Sequence, residues 1–348
     1  MLYFHNDYNQ MCHPAILSAL DTYKTYQMPG YGVDDICARA ADLICKQCGT
    51  DDLSVHFLTG GTQTNLTVIA AALRPHQAVI AAGTAHIQVH ETGAIEAVGH
   101  KILAIPTVDG KISATQIESL VCSHLNDANK EHTARPKMVY ISDSTELGTI
   151  YTLAELQAIS AVCRKYGLYL FVDGARLGYA LTAKDNDITL SDLAKLTDVF
   201  YIGGTKVGAL FGEAVVISNQ EIAEDFRYLI KQRGGMLAKG WLLGLQFVAL
   251  LEDGLYWKIA QQANYHADIL RTKLLELGYS FYVPGSTNQI FPILPHKLLD
   301  ELSRDFTFSE ECGIDDKSRA VRFCTSWATT DEDIQSLCDA LTRLSQKK

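Results

Sequence analysis

Short apolar segments alternate with amphipathic segments through much of the chain. Between residues 54 and 218, seven runs are rich in β-branched and aromatic residues and show little polar alternation: VHFLT, AVIAA, HKILAI, KMVYIS, LYLFV, DVFYIG and EAVVIS. Helical patterns such as QTNLTVIAAALR and LAELQAISAVCRKYG lie between them. Because strands that are apolar on both faces must be covered on both faces, this pattern predicts an α/β fold with a mostly parallel sheet.

The pattern changes after Gly240. A long helical region, WLLGLQFVALLEDGLYWKIAQQANYHADILRTKLLELG, is followed by the short strands IFPIL and AVRFCTSW, which alternate with helices. The change predicts three parts. Residues 1–20 form a segment that contributes to the active site, residues 21–254 form a large α/β domain, and residues 255–348 form a smaller C-terminal α+β domain.

Composition narrows the classes of partner. The formal net charge of −10 argues against nucleic acid and anionic membranes, which need a positive surface. The start of the chain lacks a secretory pattern, and nine scattered cysteines suit a reducing compartment, so a cytoplasmic protein is expected. The pair CKQC at residues 45–48 lacks a second pair at finger-like spacing, so no metal site is predicted.

Three polar features follow predicted strands. Asp173 ends the run LYLFVD, Lys206 follows DVFYIGGT, and the glycine-rich turn TGGTQTN (residues 59–65) joins a strand to a helix. Ligands of open α/β sheets bind outside the carboxyl ends of the strands. A helix start of this kind offers free backbone N–H groups to a phosphate. The sequence therefore predicts a phosphate cup, an acid and a lysine at one edge of the sheet.

Pyridoxal 5'-phosphate uses all three features. Its phosphate needs N–H donors, its aldehyde needs a lysine for a Schiff base, and its ring nitrogen needs a carboxylate to keep it protonated. The turn lacks the Gly-Lys-Ser/Thr ending of a P-loop, and no Gly-x-Gly-x-x-Gly follows a strand. Each feature alone also has an ordinary explanation, namely a surface lysine, a helix-capping aspartate and a simple turn. Their joint occurrence favours the cofactor.

The chain resembles the threonine aldolases, which are pyridoxal-phosphate enzymes of fold type I (aspartate aminotransferase-like). The motifs NDY, GYGVDD, LTGGTQTN, AHIQVHETGA, STELGTIY, VDGARLG, GGTKVG and VRFCTSW come in that family's order. The resemblance implies that Lys206 is the Schiff-base lysine, with Thr205 beside it, and that Asp173 pairs with the ring nitrogen. It also implies that Gly61 and Thr62 hold the phosphate. His86 would stack on the ring.

The resemblance implies further roles for substrate binding and proton transfer. Arg176 and Arg322 would hold the substrate carboxylate together with Asn6, which stands where many members carry serine; Arg176 is also expected near the cofactor. A surface ion pair is the ordinary alternative for the arginines. His132 matches a family histidine that contacts the substrate hydroxyl, so it is expected to act as a base, with His86 or a water sharing the work.

A homodimer or homotetramer with active sites at the dimer interface also follows from the resemblance. Among the basic residues of LIKQRGGMLAKG, Arg233 is ranked before Lys231 and Lys239 as a phosphate ligand across that interface. Tyr31, in MPGYGVDD, is expected to reach toward a neighbour's site. A solvated basic helix end is the ordinary alternative.

The reaction implied is retro-aldol cleavage of a β-hydroxy-α-amino acid, such as L-threonine, L-allo-threonine or a phenylserine, to glycine and an aldehyde. Alternatives are another fold type I activity (a β-eliminating lyase, racemase or aminotransferase) and a non-catalytic cofactor-binding protein. Two departures from the family pattern leave the threo or allo preference open. The cup reads Gly60-Gly61-Thr62 where Ser-Gly-Thr is common, and STELGT stands in place of Glu-Asn-Thr. A third departure is Val207, directly after the lysine, which is bulkier than the residue expected there.

Overall fold

The computed structural model describes residues 1–346. Its strands are β1 (Leu2–Tyr3), β2 (Ser54–Leu58), β3 (Gln77–Ala82), β4 (Lys101–Ile105), β5 (Arg135–Ser142), β6 (Tyr169–Asp173), β7 (Val199–Gly203), β8 (Glu213–Ile217), β9 (Phe281–Val283), β10 (Gln289–Pro295), β11 (Phe306–Thr307), β12 (Ser309–Gly313) and β13 (Ser318–Cys324).

The helices surround these strands. They are α1 (Pro14–Tyr23), α2 (Asp35–Cys48), α3 (Gly61–Ala72), α4 (His86–Val89), α5 (Ala94–Ala97), α6 (Ala114–Asn126), α7 (Leu153–Tyr166), α8 (Leu177–Leu181), α9 (Leu190–Leu196), α10 (Gln220–Ala223), α11 (Phe226–Gln232), α12 (Trp241–Leu251), α13 (Leu255–Glu276), α14 (His296–Leu302) and α15 (Asp331–Ser345), with a 3₁₀ helix at Lys130–His132.

The seven predicted strands form one sheet in the order β2-β8-β7-β6-β5-β3-β4. The pairs among β3, β4, β5, β6 and β7 are parallel, and β8 is antiparallel to both of its neighbours, β2 and β7. The central strands β3, β7 and β8 are buried along their whole length because helices cover both faces. The prediction of a mostly parallel α/β sheet is confirmed.

A second, antiparallel sheet lies in the C-terminal part of the chain, in the order β12-β13-β10-β9. Its apolar side chains pack with those of α13, α14 and α15 in a separate core. The start of the chain joins this part, since β1 pairs with β11 and Phe4 lies in the same core. The division of the chain at residues 20 and 254 stays a prediction.

Local sequence sets the helix ends that matter for the site. Helix α7 begins with a capping box in which Thr152 and Glu155 satisfy each other's backbone N–H groups. Helix α3 has no such cap, because its first residues follow Gly60, which has no side chain to accept a hydrogen bond. The first N–H groups of α3 therefore remain available to a ligand.

The described residues contain no helix that is long and apolar enough to cross a membrane. All nine cysteines lie within the described part of the chain, and none of them forms a disulfide.

Candidate active site

A cleft of about 330 Å³ opens at the carboxyl edge of the parallel strands. It continues into a second space of about 430 Å³, and the two share Tyr8, His86, Glu146, Arg176 and Lys206. The first space is bordered by the turn before α3 and the ends of β6 and β7. The second is bordered by residues that follow β3 and by β12 and β13. The sequence prediction of a site at this edge thus corresponds to a continuous cavity.

The buried acid of the cleft is Asp173, the last residue of β6. Its Oδ1 accepts hydrogen bonds from the Tyr201 hydroxyl and from the Ala175 N–H (2.9 Å), and its Oδ2 accepts from the Tyr140 hydroxyl and from Asn65 Nδ2 (3.1 Å). Four donors hold the carboxylate in one orientation. Burial, and next the charge of Asp173, raises the pKa of both tyrosines, so each hydroxyl keeps its proton.

Glycine at position 174 allows Asp173 to sit this close to the neighbouring strand. A Cβ there would lie 1.7 Å from the carbonyl oxygen of Tyr201, which no rearrangement of side chains relieves. The strand ends of β6 and β7 therefore approach only because residue 174 has no side chain.

Lys206 comes from the loop that turns β7 back into the antiparallel strand β8. It is half-buried and lines both spaces of the cleft. Burial lowers its pKa, and the charge of Arg176 lowers it further, while Asp7, Asp173 and Glu213 act in the opposite direction. The net effect is a lysine whose neutral, nucleophilic form costs less than it does in water.

Thr205 holds the same loop. Its hydroxyl accepts a hydrogen bond from the Gly212 N–H and donates one to Glu213 Oε1, both at 3.0 Å. Glu213, the first residue of β8, is only 3% exposed, and its Oε2 is buried without a partner. Burial raises the pKa of Glu213 to about 8. No sequence pattern singles out Glu213, because it reads as the polar start of a strand.

The turn before α3 lines the other end of the first space with Gly60, Gly61 and Thr62. A Cβ at Gly61 would lie 3.2 Å from the Tyr201 hydroxyl, whereas a Cβ at Gly60 would meet nothing within 4 Å. Gln63 braces the turn by accepting hydrogen bonds from the N–H (3.2 Å) and hydroxyl (2.8 Å) of Thr59. The result is an open cradle with helix N–H groups beside it, which suits a phosphate.

His86 begins α4 and lines both spaces. Its Nδ1 lies 2.7 Å from Glu91 Oε1, and its backbone N–H donates to Glu146 Oε1 at 2.9 Å. Ser142 donates to the same oxygen of Glu146 at 2.7 Å. Burial raises the pKa of Glu146. Of these partners only His86 was selected from the sequence.

The two arginines expected to bind a carboxylate both reach the cleft, in different states. Arg176 donates from Nε (2.7 Å) and from one terminal nitrogen (3.0 Å) to the two oxygens of Asp7. Although burial opposes its ionisation, Arg176 and Lys206 hold the pKa of Asp7 below its ordinary value. The guanidinium of Arg322 makes no such bidentate pair. One terminal nitrogen donates to the His5 carbonyl (3.3 Å) and to the Ser309 hydroxyl (3.2 Å), while Nε lies 3.6 Å from Glu311 and has no hydrogen bond.

Asn6 supports the cleft without lining it. Its Oδ1 accepts the backbone N–H of Tyr8 at 3.0 Å, and Tyr8 is the residue of this segment that borders both spaces. Asn288 adds a further hydrogen bond, 2.9 Å long, to Asp7. The motif NDY therefore acts in the structure as a unit in which Asp7 holds Arg176.

His132 is not part of the cleft, and the expectation that it serves as the base is corrected. It is exposed in the 3₁₀ helix before β5, at the amino end of that strand. The cleft lies at the carboxyl end, and the 8 residues of β5 separate the two by roughly 25 Å. The physical reason is strand polarity, since a residue that precedes a parallel strand lies at the opposite edge of the sheet.

Arg233 also does not line the cleft of its own chain. Its carbonyl oxygen accepts a hydrogen bond from Gln63 Nε2 at 3.2 Å, so it lies behind the turn before α3. Its Nε is buried without a partner. Tyr31 is 48% exposed, and Lys231 Nζ lies 4.9 Å from the centre of its ring. The single chain thus keeps both residues near the cup, and their expected role across an interface stays a prediction.

Comparisons with known proteins identify relatives that match most of the chain. A family model described as "Beta-eliminating lyase" matches residues 27–295. The low specificity L-threonine aldolase of Pseudomonas aeruginosa is 31% identical over 339 residues, which cover 95% of this chain and 94% of that protein. The one from Saccharomyces cerevisiae is 26% identical and covers 75% of this chain and 66% of its own length.

Solved structures give the same result. The threonine aldolase of Leishmania major has a TM-score of 0.96 and 47% identity, with 99% of this chain and 100% of that chain covered. The aspartate aminotransferase of Thermus thermophilus has a TM-score of 0.72 at 12% identity, with 99% and 91% covered, and shows likeness of fold alone.

Proposed function

Because the chain belongs to the β-eliminating lyase family, and within it to the threonine aldolases, we propose that it binds pyridoxal phosphate and cleaves β-hydroxy-α-amino acids. One observation carries the proposal. Lys206, Asp173 and the turn at Gly61 border a single cleft, with the lysine and the acid on neighbouring strand ends. The lysine, the acid and the phosphate cradle thus all belong to this one cleft.

The residues present fit the cofactor. The cradle at Gly60 and Gly61 is open and is bordered by the uncapped start of α3, which favours a phosphate. The carboxylate of Asp173 is buried and fixed by four donors, which favours a protonated ring nitrogen. At an effective dielectric constant of about 20, such a contact is worth on the order of 4 kcal/mol. Lys206 has the lowered pKa that a nucleophilic amine requires.

When bound, pyridoxal phosphate supplies an electron sink for cleavage of a bond at the substrate's α-carbon. The chain's own residues then bind and orient the substrate. Arg322, whose guanidinium has no bidentate carboxylate partner, is the residue that binds the substrate carboxylate, and Asp7 keeps Arg176 beside it as a fixed positive charge. The β-hydroxyl is thereby directed toward His86, which borders the same two spaces.

The substrates proposed are L-threonine, L-allo-threonine and bulkier analogues such as phenylserine, and the products are glycine and the corresponding aldehyde. In this reaction the Cα–Cβ bond breaks, the hydroxyl proton leaves to a base, and a proton is delivered to Cα. The second space of the cleft, which Val89, His90 and Leu147 border, is the region available to the β-substituent. Its volume is the reason to include substrates larger than threonine.

The test is to incubate the purified holoprotein with L-threonine and to measure acetaldehyde and glycine. Equal amounts of the two products support the proposal. The name of the matching family model favours one second candidate, a β-eliminating lyase. Formation of ammonia and a keto acid in place of glycine would favour that alternative.

A dimer is part of the proposal. Three exposed apolar side chains, Tyr31, Val33 and Tyr228, lie in or beside the segments that border a cavity of about 300 Å³ between the loop before α2 and helix α11. Tyr228 is 76% exposed in the single chain, which is unusual for a large aromatic residue. A second copy of the chain on this face would cover these side chains and bring Arg233 toward a neighbouring cup. Sedimentation of the protein at low concentration measures this directly.

A further inference from the structure

Glu91 is a buried carboxylate directly behind His86. Its side chain is fully buried. Its Oε1 lies 2.7 Å from His86 Nδ1 and 2.7 Å from Asn65 Nδ2, while Oε2 is buried without a partner. Among the described residues no lysine or arginine forms an ion pair with it. A carboxylate that is removed from water must be stabilised by the donors it has, and here these are the imidazole and the amide.

This arrangement decides which nitrogen of His86 carries the proton. A carboxylate accepts hydrogen bonds, so the nitrogen that faces it must be a donor, and that nitrogen is Nδ1. A neutral imidazole with its proton on Nδ1 has an unprotonated Nε2. The ring borders the cleft beside Lys206 and Tyr8. The nitrogen of His86 that has a free lone pair for the substrate is therefore Nε2.

Asn65 joins this pair to the acid of the cleft. The same amide nitrogen that donates to Glu91 lies 3.1 Å from Asp173 Oδ2. The four residues form one chain of hydrogen bonds from His86 through Glu91 and Asn65 to Asp173. All of its links are buried except the imidazole, whose side chain is 36% exposed. A substitution at Glu91 is thus expected to affect His86 directly and Asp173 only through Asn65.

We propose that Glu91 is a positioning residue that fixes the tautomer and orientation of His86, so that His86 Nε2 accepts the proton of the substrate's β-hydroxyl. The assignment rests on the proposed function. As the Cα–Cβ bond breaks, its electron pair stays with Cα, the hydroxyl proton moves to Nε2 and the carbonyl of the aldehyde forms. The positive charge on the imidazole is stabilised by Glu91. The proton then leaves to water or to Cα of the glycine product, which restores the neutral ring.

Two substitutions separate the functions of Glu91. Glu91→Gln keeps an oxygen that accepts from Nδ1 but removes the negative charge. Glu91→Met removes the acceptor at similar volume. Glu96→Gln, at an exposed acid five residues further along, is the matched control. Circular dichroism establishes that each variant is folded, and the glutamine variant, which is nearly isosteric, keeps the test valid where the methionine variant does not fold.

The first readout does not involve activity. ¹⁵N chemical shifts of labelled histidine in the apoprotein, assigned with a His86→Gln variant, report the tautomer of His86. We expect the proton on Nδ1 in the unsubstituted protein and in Glu91→Gln, and a shift toward the Nε2-protonated form in Glu91→Met. A proton found on Nε2 in the unsubstituted protein overturns the assignment, whatever reaction the protein catalyses.

The second readout compares two reactions of the holoprotein. Cleavage of threonine requires removal of a hydroxyl proton, whereas exchange of the α-proton of glycine with solvent does not. We expect Glu91→Met to lower kcat for cleavage about 100-fold, the usual contribution of a general base, to change glycine exchange far less, and to leave the KM for threonine within a few-fold. Equal losses in both reactions would assign Glu91 a merely structural role. Absence of threonine cleavage in every variant, with the Nδ1 tautomer present, would refute the proposed function but not the positioning.

Discussion

Glu213 is buried in the cleft, and one of its carboxyl oxygens has no hydrogen-bond partner. Burial raises its pKa from the ordinary value of 4.5 to about 8, against the opposing charge of Lys206. Glu213 therefore keeps its proton at neutral pH in the folded apoprotein. The substitution Glu213→Gln retains the shape of the side chain and the acceptor for the Thr205 hydroxyl, but the glutamine cannot ionise.

The sign of the effect follows from proton binding. Between pH 4.5 and about 8 the unfolded chain has lost the proton of this group while the folded chain retains it. The free energy of unfolding of the unsubstituted protein therefore falls as the pH rises through this window. At about 1.36 kcal/mol for each pH unit, the whole window corresponds to an upper value of about 5 kcal/mol. The glutamine variant, which has no ionisable group at this position, does not lose this stability as the pH rises.

The assay is urea unfolding of the two apoproteins, followed by tryptophan fluorescence, at about pH 5 and at about pH 9, which bracket most of the window. We expect the variant to gain stability relative to the unsubstituted protein by several kcal/mol from the lower to the higher pH. Glu224→Gln, an exposed control next to α10, is expected to show no such trend. A difference between Glu213→Gln and the unsubstituted protein that stays constant with pH, or that changes in the opposite direction, would refute the buried, protonated acid.

Three further outcomes test other parts of the site. Gly60→Ser is expected to tighten pyridoxal phosphate binding about tenfold, because a serine hydroxyl adds a charge-assisted hydrogen bond to the phosphate. The space at residue 60 is open, and its φ of −175° suits any residue. Equilibrium dialysis measures the affinity, and weaker binding would contradict a phosphate site at this turn. Arg322→Lys is expected to raise the KM for threonine at least tenfold, since a lysine does not make two parallel bonds to a carboxylate; an unchanged KM would remove Arg322 from this role. Gly174→Ala is expected to destabilise the protein by about 3 kcal/mol or more because its Cβ meets the Tyr201 carbonyl; thermal unfolding near that of the unsubstituted protein would show that the strands can separate.

Much of the large sheet follows from the sequence. All seven apolar runs are strands, because continuous burial leaves a pattern that does not depend on the partner strand. The apolar pattern does not show the direction of a strand relative to its neighbours. The run EAVVIS reads like its neighbours, yet β8 is antiparallel, since the loop with Lys206 returns the chain beside β7.

The residues around Asp173 were harder to predict. Tyr140 and Tyr201 read as apolar strand residues. The one sequence signal that could have linked them to Asp173 is that a buried tyrosine hydroxyl needs a hydrogen-bond partner. Glu91 and Asn65 stood inside quoted motifs, but a sequence does not show which side chains of a motif face one another. Geometry was needed to find the chain of hydrogen bonds that they form.

The expectation that His132 acts as a base came from the family resemblance and not from the position of the residue relative to the sheet. The rule that placed Asp173 and Lys206 at the carboxyl edge of the sheet also places a residue before β5 at the amino edge. Applied to His132, this rule would have excluded it from the cleft. His86, which follows β3, satisfies the same rule and lines the cleft.

In the proposed function, the amine of Lys206 captures the cofactor's aldehyde, beside Asp173 and the open turn at Gly61. The most direct test of this role is to load the protein with pyridoxal phosphate, reduce it with borohydride, digest it and locate the added mass by tandem mass spectrometry. We expect one labelled peptide, with the modification on Lys206, and no label in a folded Lys206→Ala variant. A label on any other lysine, or its persistence in that variant, would contradict the account.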